Sequence, residues 1–262
     1  MKPCHNARVR AWCLLAGLLI LLLGGMAMRR YALASVPRAS SGDLPFTLES
    51  ALHARRVMML MDGQALPVVD TMIQVPDGVR TFSTYSVGDE YVLAALAGFL
   101  PDGWAVEERI RWVSLFLFCL GIPGLAVAVG RRTGSWWGGW VAGAFYAVML
   151  PAVIRSTGQE LSRENVALPL LLWHVAAAAA ARTGSPQRAA GWEAVSAVLL
   201  ALALCCWDMV QFVVGFLAVW DVLRWAGNGL EGPALRRRSL YRAVALLAAG
   251  LLHPYLRSHG FL

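Results

Sequence analysis

Seven apolar runs separated by short polar stretches constrain this chain more than any other feature of its sequence. A helix that crosses a membrane needs about 20 mostly apolar residues. Of the 262 residues, 58% are hydrophobic and only 15% are charged, whereas an ordinary soluble domain has about 25% charged residues. So much apolar surface excludes a soluble, disordered or fibrous protein. The sequence therefore predicts an all-α, polytopic membrane helix bundle of about seven spans, forming one domain over residues 1–262. The runs cover 12–28, 112–130, 136–154, 166–181, 193–207, 210–227 and 243–256.

The arginines beside these runs predict the orientation of the bundle. Loops on the cytoplasmic side of membrane proteins carry an excess of Lys and Arg. If the N-terminus is cytoplasmic, every short loop on that side is basic, through Arg131, Arg132, Arg182, Arg188, Arg236, Arg237, Arg238 and Arg242. We therefore expect a multi-pass plasma (inner) membrane protein with a cytoplasmic N-terminus, surrounded by membrane lipid. These loops account for the net charge of +7, so no nucleic-acid partner is expected.

The first run, 12–28, has two interpretations. It is either a membrane anchor or a secretory signal peptide, because A-L-A at 32–34 resembles a cleavage site. Arg29 and Arg30 interrupt the passage from the apolar run to that site. Since a signal peptide leads from its apolar region to its cleavage site without such an interruption, the anchor is favoured.

Residues 29–111 form one long loop, which the same orientation places outside the membrane. The stretch 46–61 has apolar residues at helical spacing with charges between them, which predicts an amphipathic helix at the membrane surface. Glycines and prolines then mark a segment of turns, and helical periodicity resumes at 88–100. We expect an ordered loop composed of helix, turns and helix.

Acidic side chains near the predicted outer ends of the runs are the candidate functional residues. Glu49 lies one helical turn before His53, and Glu160 lies one turn before Glu164, so the members of each pair share a helix face. Oxygen ligands of this kind suit Mg²⁺ or Mn²⁺. The alternative interpretations are a solvated helix start for Glu49 and ion pairs with nearby arginines for Glu160 and Glu164. Asp208, the one charge in a tight outer loop, is either a further site residue or a polar loop tip.

Four short segments on the predicted outer side match motifs of a known family. At 49–55 the chain reads E-S-A-L-H-A-R, close to D-A-Y-Y-H-x-R, and at 70–78 it reads D-T-M-I-Q-V-P-D-G, close to D-P-x-x-x-x-P-x-G. At 155–164 the chain begins with R-S, like the family's R-S-x-x-G, and leads to an acid, and at 207–210 it reads W-D-M-V, close to W-G-G-Y or W-W-Y-P. In this order the segments resemble the catalytic subunit of oligosaccharyltransferase, a glycosyltransferase of the GT-C class.

The resemblance implies a GT-C fold and a reaction. The donor would be a sugar or oligosaccharide carried on a polyprenyl or dolichyl phosphate, and the acceptor would be an Asn side chain of a protein. A divalent cation, Mg²⁺ or Mn²⁺, would neutralise charge on the leaving phosphate. The resemblance covers only the N-terminal half of the family and omits its acceptor domain, so we expect the 262-residue chain alone to be inactive.

The resemblance also implies roles for single residues. The implied catalytic residues are Glu49 and Glu164, the metal ligands are Glu49, Glu160 and Glu164, and the substrate-binding residues are Arg155, Asp70, His53 and Asp208. Asp70 has an alternative role in organising the loop. Ser162 stands where the family's second motif has an acid, and this departure weakens the implied metal site. The implied site requires Glu49 and Glu164 to meet at one non-cytoplasmic rim of the bundle.

Three other functions stay open at this point. The first is a GT-C transferase with an acceptor other than Asn, for which the absent acceptor domain leaves room. The second is a non-catalytic membrane homologue, which Ser162 and the replacement of Asp by Glu49 both favour. The third is a transporter, in which His174 and Asp221 would mark a proton path within the apolar runs.

Overall fold

A computed structural model describes residues 4–36, 46, 48–228 and 233–260, and within them the chain is mostly helical. The helices are α1 (Cys4–Ala34), α2 (Leu48–Met61), α3 (Thr81–Thr84), α4 (Gly88–Ala97), α5 (Val106–Cys119), α6 (Gly121–Thr133), α7 (Trp136–Val148), α8 (Leu150–Arg155), α9 (Glu164–Thr183), α10 (Pro186–Cys206), α11 (Val210–Asn228), α12 (Pro233–Leu252) and α13 (Pro254–Ser258). Two short strands, β1 (Val69–Asp70) and β2 (Val79–Arg80), pair antiparallel.

Four stretches of the described chain are helical, long and apolar enough to cross a membrane. They are Ala11–Ala34, Val106–Thr133, Glu164–Thr183 and Gln187–Cys206. The second of them joins α5 and α6, because Leu120 between them keeps helical dihedral angles. The first three contain the predicted runs 12–28, 112–130 and 166–181, and the fourth covers all but the last residue of the run 193–207. The protein is therefore a helical membrane protein, as its apolar runs predicted.

The predicted run 136–154 is divided into two helices. Helix α7 ends at Val148, Met149 is non-helical, and α8 begins at Leu150 with Pro151 in its first turn. Proline has no N–H and its ring clashes with the carbonyl four residues earlier, here that of Ala147. That carbonyl accepts a hydrogen bond from Arg29 instead, at 2.9 Å. The proline was visible in the sequence, and it explains the break.

The last two predicted runs form helices but are not among the four spanning stretches. Helix α11 covers the run 210–227, and α12 covers most of the run 243–256 after an arginine-rich first half. His253 is extended, and Pro254 begins the short helix α13. The count of seven crossings therefore stays a prediction.

The long segment 29–111 is ordered over its described residues, as predicted. Helices α2 and α4 stand where helices were expected, and the turns between them include the ladder in which Asp70 lies opposite Val79. Both helices contribute to the main apolar core, together with α5, α9 and α10. Its most buried members include Ala54, Val57, Leu93, Ala97, Ile110, Val166, Ala167 and Leu204. The segment therefore packs on the ends of the spanning helices rather than standing apart from them.

Helix α4 touches the end of α10 at backbone level. Gly88, the first residue of α4, lies so close to the Cys205 carbonyl that a Cβ at this position would collide with it. The Ser86 hydroxyl donates a hydrogen bond of 2.5 Å to the same carbonyl. The absence of a side chain at Gly88 thus sets the docking of the loop segment on the bundle.

Arg29 joins three parts of the bundle although it lies within a spanning stretch. Its side chain is fully buried and donates to the carbonyls of Gly25, at 3.0 Å, and Ala147, at 2.9 Å. Its Nε donates to the Ser156 hydroxyl at 2.6 Å, and its guanidinium lies 5.1 Å from the centre of the Phe118 ring. Arg29 thus ties α1 to the α7–α8 break and to the loop that follows α8.

We expect Arg29→Met to destabilise the protein by about 1–3 kcal/mol for each buried polar group left unpaired, chiefly the Ala147 carbonyl. Arg30→Met is the matched control, because the pair of Arg30 with Glu108 is about one-third exposed and such pairs contribute about 1 kcal/mol or less. Thermal unfolding in detergent measures both. Equal destabilisation by the two variants would contradict the role given to Arg29.

Candidate functional site

The loop between α8 and α9, together with the residues that flank it, holds three of the predicted site residues, namely Arg155, Glu160 and Glu164. Gly158 has a left-handed backbone, φ 88°, and lies against the backbone of Arg111, so a side chain there would be strained and crowded. The buried Asn165 amide donates to the Glu160 carbonyl at 3.2 Å and to the Ser114 hydroxyl at 3.1 Å. The loop therefore leaves α8 and enters α9 with little conformational freedom.

The start of α2 is attached to the same loop. The Ser50 hydroxyl accepts a hydrogen bond of 2.8 Å from the backbone N–H of Leu161. Both Ser50 and Leu161 are buried. This bond brings Glu49, the residue before Ser50, to the loop that carries Glu160 and Glu164.

Arg155 lies at the centre of the acidic groups, which we name the acidic rim: Glu49, Arg155, Glu160 and Glu164. Its guanidinium is 3.1 Å from a Glu160 oxygen and 3.7 Å from a Glu164 oxygen. The hydrogen bond to Glu160, the charge of Glu164 and, more weakly, the charge of Glu49 raise the pKa of Arg155. Glu49 and Glu164 therefore lie in the electrostatic range of one guanidinium, although they are far apart in sequence.

The acidic rim has the chemistry of a cation site but not the closed geometry of one. Three carboxylates around one guanidinium leave two negative charges, and carboxylate oxygens are the ligands that Mg²⁺ and Mn²⁺ prefer. Among the described residues, however, the group close enough to share an ion is His53, Asp89 and Glu90. The side chains of Arg155 and Glu49 are 59% and 78% exposed, so solvent reaches the rim directly.

A buried network of His53, Arg56, Asp89 and Glu90 lies directly beneath the rim. The Nδ1 atom of His53 is 2.8 Å from Glu90 Oε1 and 3.6 Å from an Asp89 oxygen, and Arg56 is 3.4 Å from the same Glu90 oxygen. All four residues are at most 1% exposed. The other ring nitrogen of His53 is 3.9 Å from Glu49, so His53 connects the network with the rim.

The two neighbouring carboxyl groups of the network have pKa values shifted in opposite directions. Burial, followed by the charge of Glu90, raises the pKa of Asp89 well above its usual range. Burial also acts to raise the pKa of Glu90, but hydrogen bonds from Asp89 and His53 and the charges of His53 and Arg56 outweigh it and lower that pKa to about 2. The shifts favour the protonated form of Asp89 and the ionised form of Glu90.

The network continues through Tyr85 to Asp208. The guanidinium groups of Arg56 and Arg163 lie 4.6 Å and 5.3 Å from the centre of the Tyr85 ring, an arrangement in which a cation is attracted to the ring. Arg163 also lies 3.8 Å from Asp208, which accepts a hydrogen bond of 3.4 Å from the Tyr255 hydroxyl. Asp208 is therefore more than a loop tip, because it anchors this line of contacts.

Two predicted substrate-binding residues have structural partners that hold them away from the surface. Asp70 is 1% exposed, pairs with Arg55 and accepts a hydrogen bond from the Met72 N–H. It therefore organises the turn after β1, which was the alternative role considered for it. His53 is also 1% exposed, and a ring enclosed by Glu90 and Asp89 does not face a substrate at the rim.

Sequence reasoning missed Arg56 and Asp89 as members of the site. The available signal was a pair of acids, Asp89 and Glu90, opening an otherwise apolar helix, where they also favour the positive end of the helix dipole.

Comparisons with known proteins add no assignment. No known family model matches the chain, and no curated protein sequence matches it significantly.

The opposite protonation states of Asp89 and Glu90 predict opposite effects of two similar substitutions. An acid whose pKa is raised on folding contributes stability at low pH, and this contribution is lost as the pH rises through the raised pKa. An acid whose pKa is lowered on folding, such as Glu90, contributes stability at pH values above its ordinary pKa. We expect Asp89→Asn, which resembles the protonated acid, to fold normally. The stability of this variant should no longer decline as the pH rises. Glu90→Gln removes the carboxylate nearest to Arg56 and His53 and should cost about 3–5 kcal/mol.

Thermal unfolding measured over a series of pH values tests this pair of variants. The exposed Glu107 on α5 supplies the control, because Glu107→Gln should change stability by about 0.5 kcal/mol or less. If Asp89→Asn destabilises as much as Glu90→Gln, the assigned protonation states are wrong.

Proposed function

We propose that this protein is a glycosyltransferase of the GT-C class that accepts a glycan from a polyprenyl-phosphate-type lipid donor. Together with an acceptor-binding domain, it would transfer the glycan to Asn of an acceptor protein. The observation that carries the proposal is the position of Arg155, which pairs with Glu164 at 3.7 Å and lies within the electrostatic range of Glu49. An approach of these two acids to one group is what the resemblance to the oligosaccharyltransferase catalytic subunit requires.

The proposal extends to the arrangement in the membrane. Helices α7–α8, α11 and α12 would add three crossings to the four spanning stretches, giving seven. The N-terminus would be cytoplasmic and the segment 29–111 would lie outside the plasma membrane. The arginines at the other end of the bundle support this orientation. Arg182 lies in the electrostatic range of Arg132 and Arg238, and the three residues belong to three different predicted cytoplasmic loops.

The charge of the acidic rim supports a metal-assisted reaction. A divalent cation would be held by Glu49, Glu160 and Glu164, whose excess of two negative charges it would balance, and when bound it would neutralise charge that develops on the leaving phosphate. Ser162 supplies no acid at the family's position, and Glu160, half a turn earlier, takes its place in this proposal. Glu49 and Glu164 are the proposed catalytic residues.

Arg155 would bind the phosphate of the donor. Its guanidinium is held by two exchangeable ion pairs with Glu160 and Glu164, and more than half of its side chain is exposed. A guanidinium binds phosphate oxygens through two parallel N–H donors. When cation and donor arrive, Arg155 would leave the carboxylates to the cation and turn to the phosphate.

The buried network would position Glu49. His53 lies between Glu90 and Glu49, and the bond between Ser50 and Leu161 holds the first turn of α2 against the loop. His53 is therefore a positioning residue in this proposal rather than a substrate-binding one. A rigid support of this kind limits the entropy lost when ligands bind.

Binding of Mn²⁺ to the purified protein tests the metal site. We expect Glu49→Gln and Glu164→Gln each to weaken binding at least about tenfold, since even indirect partners of metal ligands cost that much when changed. Glu107→Gln should have no effect. Titration followed by the electron paramagnetic resonance of free Mn²⁺ gives the affinities. Binding that survives both variants but is lost in Asp89→Asn would assign the ion to the buried network and overturn the proposed ligands.

Glycan transfer in membranes tests the reaction itself. The chain is expressed alone and with a partner that supplies an acceptor domain, in cells that make a lipid-linked glycan. We expect no transfer by the chain alone, and a loss of about 100-fold or more for Glu164→Gln in the combined system, the scale of losing one electrostatic stabiliser of a transition state. Transfer unaffected by Glu49→Gln and Glu164→Gln would instead favour a non-catalytic membrane protein.

A further inference from the structure

A second concentration of charge lies at the opposite end of the bundle from the acidic rim. Helix α9 begins with Glu164 and carries Arg182 in its last turn, so the two residues are roughly 27 Å apart along the helix axis. Arg182 lies in the electrostatic range of four arginines from other helices, namely Arg132, Arg224, Arg238 and Arg242. These positive charges repel one another, and an anion bound among them would lower the electrostatic free energy.

One carboxylate at this end of the bundle is shared by two guanidinium groups. Glu193 is 2.6 Å from Arg237, and Asp221 is 2.7 Å from Arg242 and 3.4 Å from Arg238. Asp221 therefore neutralises only one of the two charges of Arg238 and Arg242. The Nε atoms of Arg238 and Arg242 are buried and have no hydrogen-bond partner among the described residues.

A cavity opens among these arginines. It has a volume of about 370 Å³, and its lining includes Arg182, Arg224, Arg237 and Arg238, with Glu193 as its acid. Four guanidinium groups around one cavity are a recognition site for a phosphate group, because each donates planar pairs of N–H groups. We name this cavity the arginine pocket.

An apolar groove adjoins the arginine pocket. It has a volume of about 500 Å³, lies between α10, α11 and α12, and shares Leu235 with the pocket. Its walls are apolar, with Leu200, Val214 and Leu246 among them, and its polar residues are Asp221, Arg236, Ser239 and Arg242. A cationic pocket that continues into an apolar groove matches a molecule with an anionic head and a hydrocarbon tail.

We propose that the arginine pocket and the groove bind an anionic phospholipid of the leaflet at this end of the bundle. The phosphate would lie among Arg182, Arg224 and Arg238, and an acyl chain would lie between α11 and α12. Basic pockets between helices at the cytoplasmic face of membrane proteins bind anionic lipid head groups in this way. A water-soluble phosphate would use the pocket but would leave the groove without a function, so the lipid accounts for both.

The experiment uses the full chain, purified and delipidated in detergent. Phosphatidylglycerol, phosphatidylcholine and inorganic phosphate are added separately, and the thermal unfolding temperature and the lipid retained in native mass spectrometry are recorded. We expect phosphatidylglycerol to be retained and to raise the unfolding temperature, and the other two additions to have little effect. Equal effects of the two lipids, or full competition by inorganic phosphate, would overturn the proposal.

Two variants separate the head-group and tail contacts. Arg182→Gln should weaken phosphatidylglycerol binding about fivefold, the scale of one basic residue near a charged membrane surface, whereas Arg188→Gln, which removes a charge outside the pocket lining, should not. Ala218→Phe fills the groove from an exposed position and should reduce retention of the lipid without affecting the binding of glycerol phosphate. If Arg182→Gln behaves like Arg188→Gln, or Ala218→Phe retains the lipid fully, the proposed site is wrong.

Discussion

The buried guanidinium of Arg29 is the interaction on which the rest of the structure depends. A buried charged group needs partners for its donors. The Nη1 of Arg29 donates to two backbone carbonyls and its Nε donates to the Ser156 hydroxyl, while its Nη2 has no hydrogen-bond partner among the described residues. One of those carbonyls, that of Ala147, is available only because Pro151 breaks the helix. The break and the charge therefore require each other. Their combination directs the chain from α8 toward the acidic rim.

The acidic rim and the buried network form two layers of one construction. Helix α2 presents Glu49 to solvent and, one turn later, presents His53 to the interior. The exposed layer has exchangeable ion pairs and can accept ligands, whereas the partners of the buried layer are fixed. The neighbouring Asp89 and Glu90 are both buried, and their pKa values are shifted in opposite directions, so that repulsion between two ionised carboxylates is reduced. The buried layer thus supports the rim, and the side chains of the rim stay available for ligands.

Much of this architecture was predictable from the sequence, for physical reasons. The four spanning stretches were recognisable because apolar runs of that length have no other stable environment. A common location of Glu49 and Glu164 at one rim of the bundle was predicted from motif order and loop orientation. In the structure both acids lie within the electrostatic range of Arg155. The role of Arg29 was not predictable, because its partners come from Gly25, Ala147 and Ser156, and only the folded chain brings them together. The burial of Asp89 and Glu90 likewise depends on the backbone contact between Gly88 and Cys205, which no local pattern indicates.

That backbone contact also connects the two ends of the protein. Helix α10 touches α4 through Cys205 and, further along, contributes Leu200 to the apolar groove. Because Gly88 has no side chain, the backbones of α4 and α10 are in direct contact. A displacement of α10 would therefore also move α4, the helix that carries Glu90. The surrounding bilayer would influence how closely α10 approaches its neighbours. Its composition would then affect the position of the buried network beneath the acidic rim.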